Sequence, residues 1–417
     1  MSLQFITGNS GNGKTKYLFN RIVKEAKANP RDNYLVIVPE QFTMQTQRQL
    51  VDLSENKAIM NIDVLSFKRL AYRVFDELGI TNLTVLEETG KNLVLRKLAA
   101  QEADKLGVIG RNLNRIGYIS EVKSLLSELV QYNISPEELG RYIASGRLSD
   151  TLSDKLKDVL VLYEAFEKFM QDKYITAEEI LNVLSNVAEE SAILRNSVIA
   201  FDEFTGFTPI QNQLIKKLFV ISKKIYVTLT IDCREDIFKS RGMQELFDMP
   251  KRTVKSLTEM AAFYGIEVEG PIILDKNYRL AENEELSFME QQLFRKRRCS
   301  FKKVPKHIHI DCLRDPKQEL TKIARRINEL VRNEKLRYRD IAIVTGDVNI
   351  YAGYMREIFD KYNIPYFIDA TQEILFHPFI EFIRSIPDIA IQNFSAEAVF
   401  RFLRCGFSEL LDSEIDV

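Results

Sequence analysis

Gly8-Asn9-Ser10-Gly11-Asn12-Gly13-Lys14-Thr15 fits the phosphate-binding loop G-x-x-x-x-G-K-[ST] at every fixed position, and it follows the apolar run Leu3 to Ile6. Glycines let the backbone curl so that consecutive N–H groups point at a polyphosphate. Lys14 is expected to neutralise β- and γ-phosphate charge, and Thr15 to offer its hydroxyl to Mg²⁺. Tyr17, Leu18, Ile22 and Val23 then recur at helical spacing, which sets the loop between a strand and a helix, as this chemistry requires. A glycine-rich turn that merely opens a helix is the plainer alternative. The strand before and the helix after favour a nucleotide site in an α/β fold.

The 417 residues are 45% hydrophobic, enough to bury more than one core. Lys plus Arg (58) and Asp plus Glu (59) nearly cancel, so a polyanionic partner has to be met by a local basic surface, and net charge neither supports nor excludes DNA. No apolar stretch approaches bilayer length and no signal peptide precedes the first strand, which makes the cytoplasm the expected location, with no membrane contact. Cys233, Cys299, Cys312 and Cys405 lie far apart without C-x-x-C spacing. They read as reduced, mostly packed thiols rather than as metal ligands or disulfides.

Strand-like runs at Phe5-Ile6, Tyr34 to Val38 and Ile62 to Leu65 begin a parallel sheet. From about 85 to 190 the pattern is helical alone, with stripes such as Ile119, Val122, Leu125, Leu126, Leu129 and Leu156, Val159, Leu160, Tyr163, Phe166. Strands resume at Val198 to Phe201 and Ile225 to Thr230. The expected organisation is therefore one α/β domain formed by 1–84 and 191–294, with 85–190 as a helical insertion.

Residues 295–306 carry seven cations in twelve positions and a proline, and read as a basic linker, either a nucleic-acid contact or a solvated hinge. Strands at His307 to Leu313 and Ile341 to Val344 flank a helix from about Lys317 to Asn333, so 307–369 is expected to start a second α/β domain. A second helical insertion is expected to start in 370–417.

A phosphate loop needs a carboxylate from a neighbouring strand on the metal side and another to polarise the attacking water. Val198-Ile199-Ala200-Phe201-Asp202-Glu203 offers both: a buried strand, Asp202 at its end as the metal-side acid, and Glu203 as general base.

The stretch Asp202 to Gln211 resembles motif II of superfamily 1 DNA helicases. Val38-Pro39-Glu40-Gln41-Phe42-Thr43 and Leu65-Ser66-Phe67-Lys68-Arg69-Leu70-Ala71 occupy the places of motifs Ia and Ib and are similar to the AddB (RexB) family, B subunits of bacterial ATP-dependent helicase/nucleases. Arg337 to Ala342 and Ile364 to Asp369 extend the resemblance over the whole chain. It implies an N-terminal AddB portion: a P-loop NTPase (RecA-like) parallel sheet with an inserted all-helical subdomain, followed by an incomplete second RecA-like domain.

The same resemblance implies ATP and Mg²⁺ as ligands, held by Gly8 to Thr15 with Thr15 and Asp202 on the metal, and DNA contacts from Gln41, Thr43, Ser66, Phe67 and Arg69. For Phe67 the reading as a core aromatic outweighs that of a base-stacking ring. Asn277-Tyr278-Arg279 resembles motif IV, which makes Arg279 the candidate arginine finger beside Glu203; a loop arginine on the surface is the alternative. An AddA-type subunit is the implied partner in a heterodimer that processes double-strand breaks.

There are departures from an active motor. Thr205-Gly206 replaces the usual Gln-Asp of motif II, Glu235 stands where motif III has a glutamine, and motifs V and VI and the adenine-reading glutamine motif are absent from these residues. The family's nuclease domain and iron–sulfur cysteines are not among them either. The expectation is a nucleotide-binding DNA scaffold, with an active translocating ATPase as the alternative and a P-loop phosphotransferase as a weaker third reading.

Overall fold

The computed structural model describes residues 1–81, 84–108, 110, 116–145, 148–170, 174–295, 299–370, 374 and 377–407. The chain divides into two compact units, Met1–His307 and Ile308–Val417.

The first unit opens β1 (Ser2–Gly8), α1 (Lys14–Ala28), β2 (Tyr34–Ile37), α2 (Thr43–Leu53), β3 (Ile62–Leu65) and α3 (Phe67–Leu78). Next come β4 (Val85–Leu86), α4 (Glu88–Gln101), α5 (Ile116–Gln131), α6 (Pro136–Ala144), α7 (Asp150–Met170), β5 (Ile175–Thr176) and α8 (Ile180–Val187). The remainder is β6 (Val198–Phe201), α9 (Pro209–Ile221), β7 (Lys224–Thr230), α10 (Asp248–Phe263), β8 (Glu267–Val268), β9 (Ile272–Leu274) and α11 (Glu284–Gln292).

Among the described residues the main sheet has seven strands in the order β3-β2-β6-β7-β1-β8, with β9 also on β1. Every pair is parallel. Parallel strands need crossovers that cover both faces, so central strands become apolar throughout; Tyr34–Ile37 and Val198–Phe201 are buried at every residue. One face packs on α1 and α2 through Ile6, Val36, Ala200 and Tyr226. The other packs on α3, α8, α9 and α10 through Phe5, Ile37, Phe201 and Val227. This arrangement is consistent with the RecA-like α/β fold expected. The edge pair β8 and β9 carries little sequence signal: between them lies Pro271, which has no N–H for a ladder and is tolerated only at such an edge.

Helices α4, α5, α6 and α7 build a separate core around Leu95, Ile119, Leu126, Leu162 and Phe166. The expectation of helices alone in this region needs correction, because β4 and β5 pair in parallel at its base. Two-residue strands are too short to show a period of two. Buried Lys91 of α4 ties the block together, with ion pairs to Glu178 at 2.7 Å and Glu88 at 2.9 Å.

The second unit holds α12 (Pro316–Asn333), α13 (Val348–Lys361), α14 (Pro378–Ile391) and α15 (Ala396–Leu403). Leu320, Ala324 and Ile327 pack on Ile358, Phe359 and Ile364. The strands expected at His307 to Leu313 and Ile341 to Val344 do not form among the described residues. Ile310 and Val344 are 94% and 93% exposed, so the apolar pattern is present but no neighbouring strand satisfies it. The cysteines also differ from expectation: Cys299 and Cys312 are exposed, and Cys233 and Cys405 are half-buried. Among the described residues no helix is long and apolar enough to cross a membrane.

Candidate functional site

In a parallel sheet the C-terminal strand ends all emerge at one edge, and open α/β sheets bind ligands there. The β1–α1 loop, Asp202-Glu203 after β6, Glu40 to Thr43 after β2 and Ser66 to Arg69 after β3 therefore share one rim.

The loop is held from outside by the chain that leaves β9. Asn12 donates to the Leu274 carbonyl (2.5 Å), Asn277 to the Ser10 carbonyl (3.0 Å), and the Tyr278 N–H to the Gly11 carbonyl (3.0 Å). Buried Asn9 accepts the Cys233 N–H at 2.9 Å and donates to Glu290 of α11 at 2.7 Å. Two glycines are required by this fit. A Cβ on Gly8 would lie 2.5 Å from the Leu274 carbonyl, and Gly11, at φ +88°, would put one 2.8 Å from both Arg279 and Asn277. Gly13 begins α1 without any side-chain cap, leaving the first-turn N–H groups to face an anion.

Lys14 Nζ donates to the carbonyls of Gly8 (3.1 Å) and Asn9 (3.0 Å). Burial lowers its pKa; Asp202 and Glu203 oppose that, while Arg279 adds to it. Thr15 Oγ1 stands 3.3 Å from both Asp202 Oδ1 and Glu203 Oε1. Asp202 is 1% exposed, accepts from Thr228 on β7, and keeps Oδ2 buried without a partner among the described residues. Its carboxyl is pushed up, first by burial and then by Glu203, against the hydrogen bonds from Thr228 and Thr15. A carboxylate with one buried unpartnered oxygen, and with the Thr15 hydroxyl 3.3 Å from its other oxygen, is a hard, oxygen-only donor set that suits Mg²⁺. Glu203 itself is exposed and has φ +64°, a conformation that costs a non-glycine residue energy and recurs at reactive positions.

These groups line a cleft of 810 Å³ together with Tyr278 and Arg279. Arg279 reaches Ser10 Oγ at 3.4 Å, and the Tyr278 ring is 65% exposed beside Gly13. The structure thus brings Gly8 to Thr15, Asp202, Glu203 and Arg279 into one place. Neither Tyr278 nor Thr228 is singled out by the sequence: Tyr278 stands only inside the Asn277-Tyr278-Arg279 string, and Thr228 sits in an ordinary strand pattern.

The other expected residues lie further along the rim. Gln41 is exposed in a 3-10 turn, and buried Thr43 donates to the Glu40 carbonyl at 3.0 Å. Ser66 caps α3 and donates to the Glu40 carboxylate, which also accepts from Arg69 Nε at 3.0 Å. Phe67 is 7% exposed and packs against Phe201, Phe204 and Phe207. Glu235 pairs with buried Lys251 at 2.7 Å. Of the basic run, Lys296, Arg297 and Arg298 lie outside the described residues, while Arg295 is 2.9 Å from Asp232 and stacks on Phe247.

The family model described as "ADDB, N-terminal" matches residues 5–290. The chain belongs to the AddB family. Relatives named as the B subunit of an ATP-dependent helicase/deoxyribonuclease match along its whole length: 38% identity over 422 residues in Lachnoclostridium phytofermentans, and 33% in both Clostridium tetani and Clostridium acetobutylicum. The chain spans 36% to 37% of the length of these AddB relatives.

Proposed function

We propose that the chain binds ATP with Mg²⁺ in the cleft between the β1–α1 loop and β6, and contacts DNA along the rim formed by the ends of β2 and β3. The reading is carried by one juxtaposition, the Thr15 hydroxyl at 3.3 Å from Asp202, a residue 187 positions away. Backbone N–H groups at the start of α1 cradle the phosphates, and Lys14 leaves its two carbonyls for phosphate oxygens. The Tyr278 face offers a platform for the base. Mg²⁺, when bound, neutralises charge on the β- and γ-phosphates; Thr15 and Asp202 would hold it.

In its relatives' terms this is part of the B subunit of a helicase/deoxyribonuclease, working in the cytoplasm with an AddA-type partner on DNA ends for recombinational repair. Within that complex we read the region as a nucleotide-binding DNA scaffold. Exposed Gln41 and Arg69 supply the backbone-directed polar contacts, while Thr43, Ser66 and Phe67, expected as DNA contacts but buried, shape this rim from the core side.

The strained backbone of Glu203 favours a second reading, an active ATPase. There Glu203 takes a proton from water, whose oxygen bonds to the γ-phosphorus as the bond to the β–γ bridging oxygen breaks, and Arg279 meets the charge that develops.

Calorimetric titration with ATP and Mg²⁺ tests the site: the native chain is expected to bind and Lys14→Ala to bind far more weakly. No heat from the native chain would overturn the proposal. DNA-stimulated phosphate release that is lost in Glu203→Gln would select the ATPase over the scaffold.

A further inference from the structure

β6 and β7 run side by side, pairing Ala200 with Tyr226 and Phe201 with Val227. One step further along the same register, Asp202 faces Thr228. With a side-chain period of two, both project on the side of Ala200 and Tyr226, the sheet face covered by α1 and α2. That is the face on which Thr15 begins α1. Thr228 is 3% exposed, and its hydroxyl donates to Asp202 Oδ1, leaving Oδ2 buried and without a partner among the described residues.

We propose that Thr228 is a positioning residue for the divalent cation, fixing the rotation of the Asp202 carboxylate from the neighbouring strand while the Thr15 hydroxyl stands 3.3 Å from the same oxygen, Oδ1. This rests on the nucleotide–metal reading above. A carboxylate has two chemically equal oxygens and a free torsion about its last bond. The single hydroxyl proton of Thr228 distinguishes them: it engages Oδ1, the oxygen that also stands by the Thr15 hydroxyl, and so fixes how the carboxylate is turned toward the start of α1. Without that bond Asp202 can turn, and its more exposed neighbour Glu203 competes for the same ion. Partners of this kind, which hold a metal ligand without touching the metal, are typically worth about 10–100-fold in metal affinity.

Manganese provides a direct readout, since free Mn²⁺ can be counted by electron paramagnetic resonance in the presence of chain and ADP. Thr228→Val preserves shape and removes the hydroxyl; Thr228→Ser keeps the hydroxyl. The Val variant is expected to bind Mn²⁺ in the ternary complex at least about tenfold more weakly than the native chain, with ADP affinity in EDTA unchanged. The Ser variant is expected to restore it. Thr228→Ala serves as a second hydroxyl-free variant if Val unfolds the chain. Equal Mn²⁺ affinity in native chain and hydroxyl-free variant, or a Ser variant as weak as Val, would overturn the role of Thr228 alone. A native chain that takes up no Mn²⁺ with nucleotide would overturn the nucleotide site itself, and this inference with it.

Discussion

Arg295 closes on Asp232: its Nε and a terminal nitrogen lie 3.0 and 2.9 Å from the same buried carboxylate oxygen, while the guanidinium stacks 4.9 Å from the centre of the Phe247 ring. Arg234 engages the same carboxylate at 2.6 Å. The first cation of a run that reads as a polyanion contact is thus spent on fastening the segment after β7 to the end of α11.

Burial works against the Asp232 charge, but hydrogen bonds from the Arg234 side chain and backbone, then the Arg234 and Arg295 charges, hold it down to about 2. A depressed carboxylate stabilises the fold above its unfolded pKa near 3.8 and stops doing so as pH falls through about 2. Asp232→Asn is expected to lose about 2 kcal/mol at pH 5 to 7, and the gap to the native chain to close between roughly pH 4 and 2. Urea unfolding across that range measures it, and a gap constant with pH would contradict the assignment.

Lys14→Ala separates binding from folding. The ammonium is desolvated where it stands, so its loss is expected to leave the thermal midpoint unchanged or slightly raised while nucleotide affinity falls at least about tenfold. A midpoint lowered by many degrees would mean that Lys14 is chiefly a structural bridge to the Gly8 and Asn9 carbonyls.

Gly11→Ala adds a methyl group where the backbone is left-handed and where Asn277 and Arg279 already crowd the loop. About 1–3 kcal/mol of stability should go, together with nucleotide affinity, because the loop must withdraw from the 277–279 segment. Calorimetry with and without nucleotide reports both effects. Unchanged affinity would show that this wall is dispensable.

Tyr278→Ala is expected to weaken ATP binding about tenfold, and Tyr278→Phe to leave it intact, if the ring stacks on the base. Tripolyphosphate, which has no base, should bind both variants like the native chain. A loss of tripolyphosphate affinity would assign Tyr278 to shaping the loop instead.

Lys91→Met strands Glu178, whose side chain is 12% exposed, without its cation. Burial opposes the Lys91 charge, and the hydrogen bonds it donates to Glu178 and Glu88 outweigh it. Removing one member of such a pair costs about 3 kcal/mol or more. Hydrogen exchange should show loss of protection confined to α4 and the β5–α8 segment, with the seven-stranded sheet unaffected.

Much of the first unit is legible in the chain because its signals are local. A glycine pattern between an apolar run and a helix marks the loop, and four buried residues before Asp202-Glu203 mark β6. What escapes is set by neighbours distant in sequence. Thr228 differs from any strand threonine only by facing Asp202 across a parallel pair, and the role of Asn9 needs Glu290, 281 positions away. Arg295 is charged like the residues beside it; only Asp232 and Phe247 make it interior. In the second unit the apolar spacing at Ile310 and Val344 is real, but a strand is a relation between segments, and spacing alone cannot supply the other half.

The hydrogen bond from Asn9 to Glu290 ties the glycine loop near the start of the first unit to α11. Any shortened version meant to retain the cleft must therefore run through α11: a cut after β7 would keep the sheet's middle yet strip away Leu274, Asn277, Tyr278 and Glu290, the outer jaw against which the glycine loop is set. The span shared with the AddB family model, 5–290, reaches as far as Glu290.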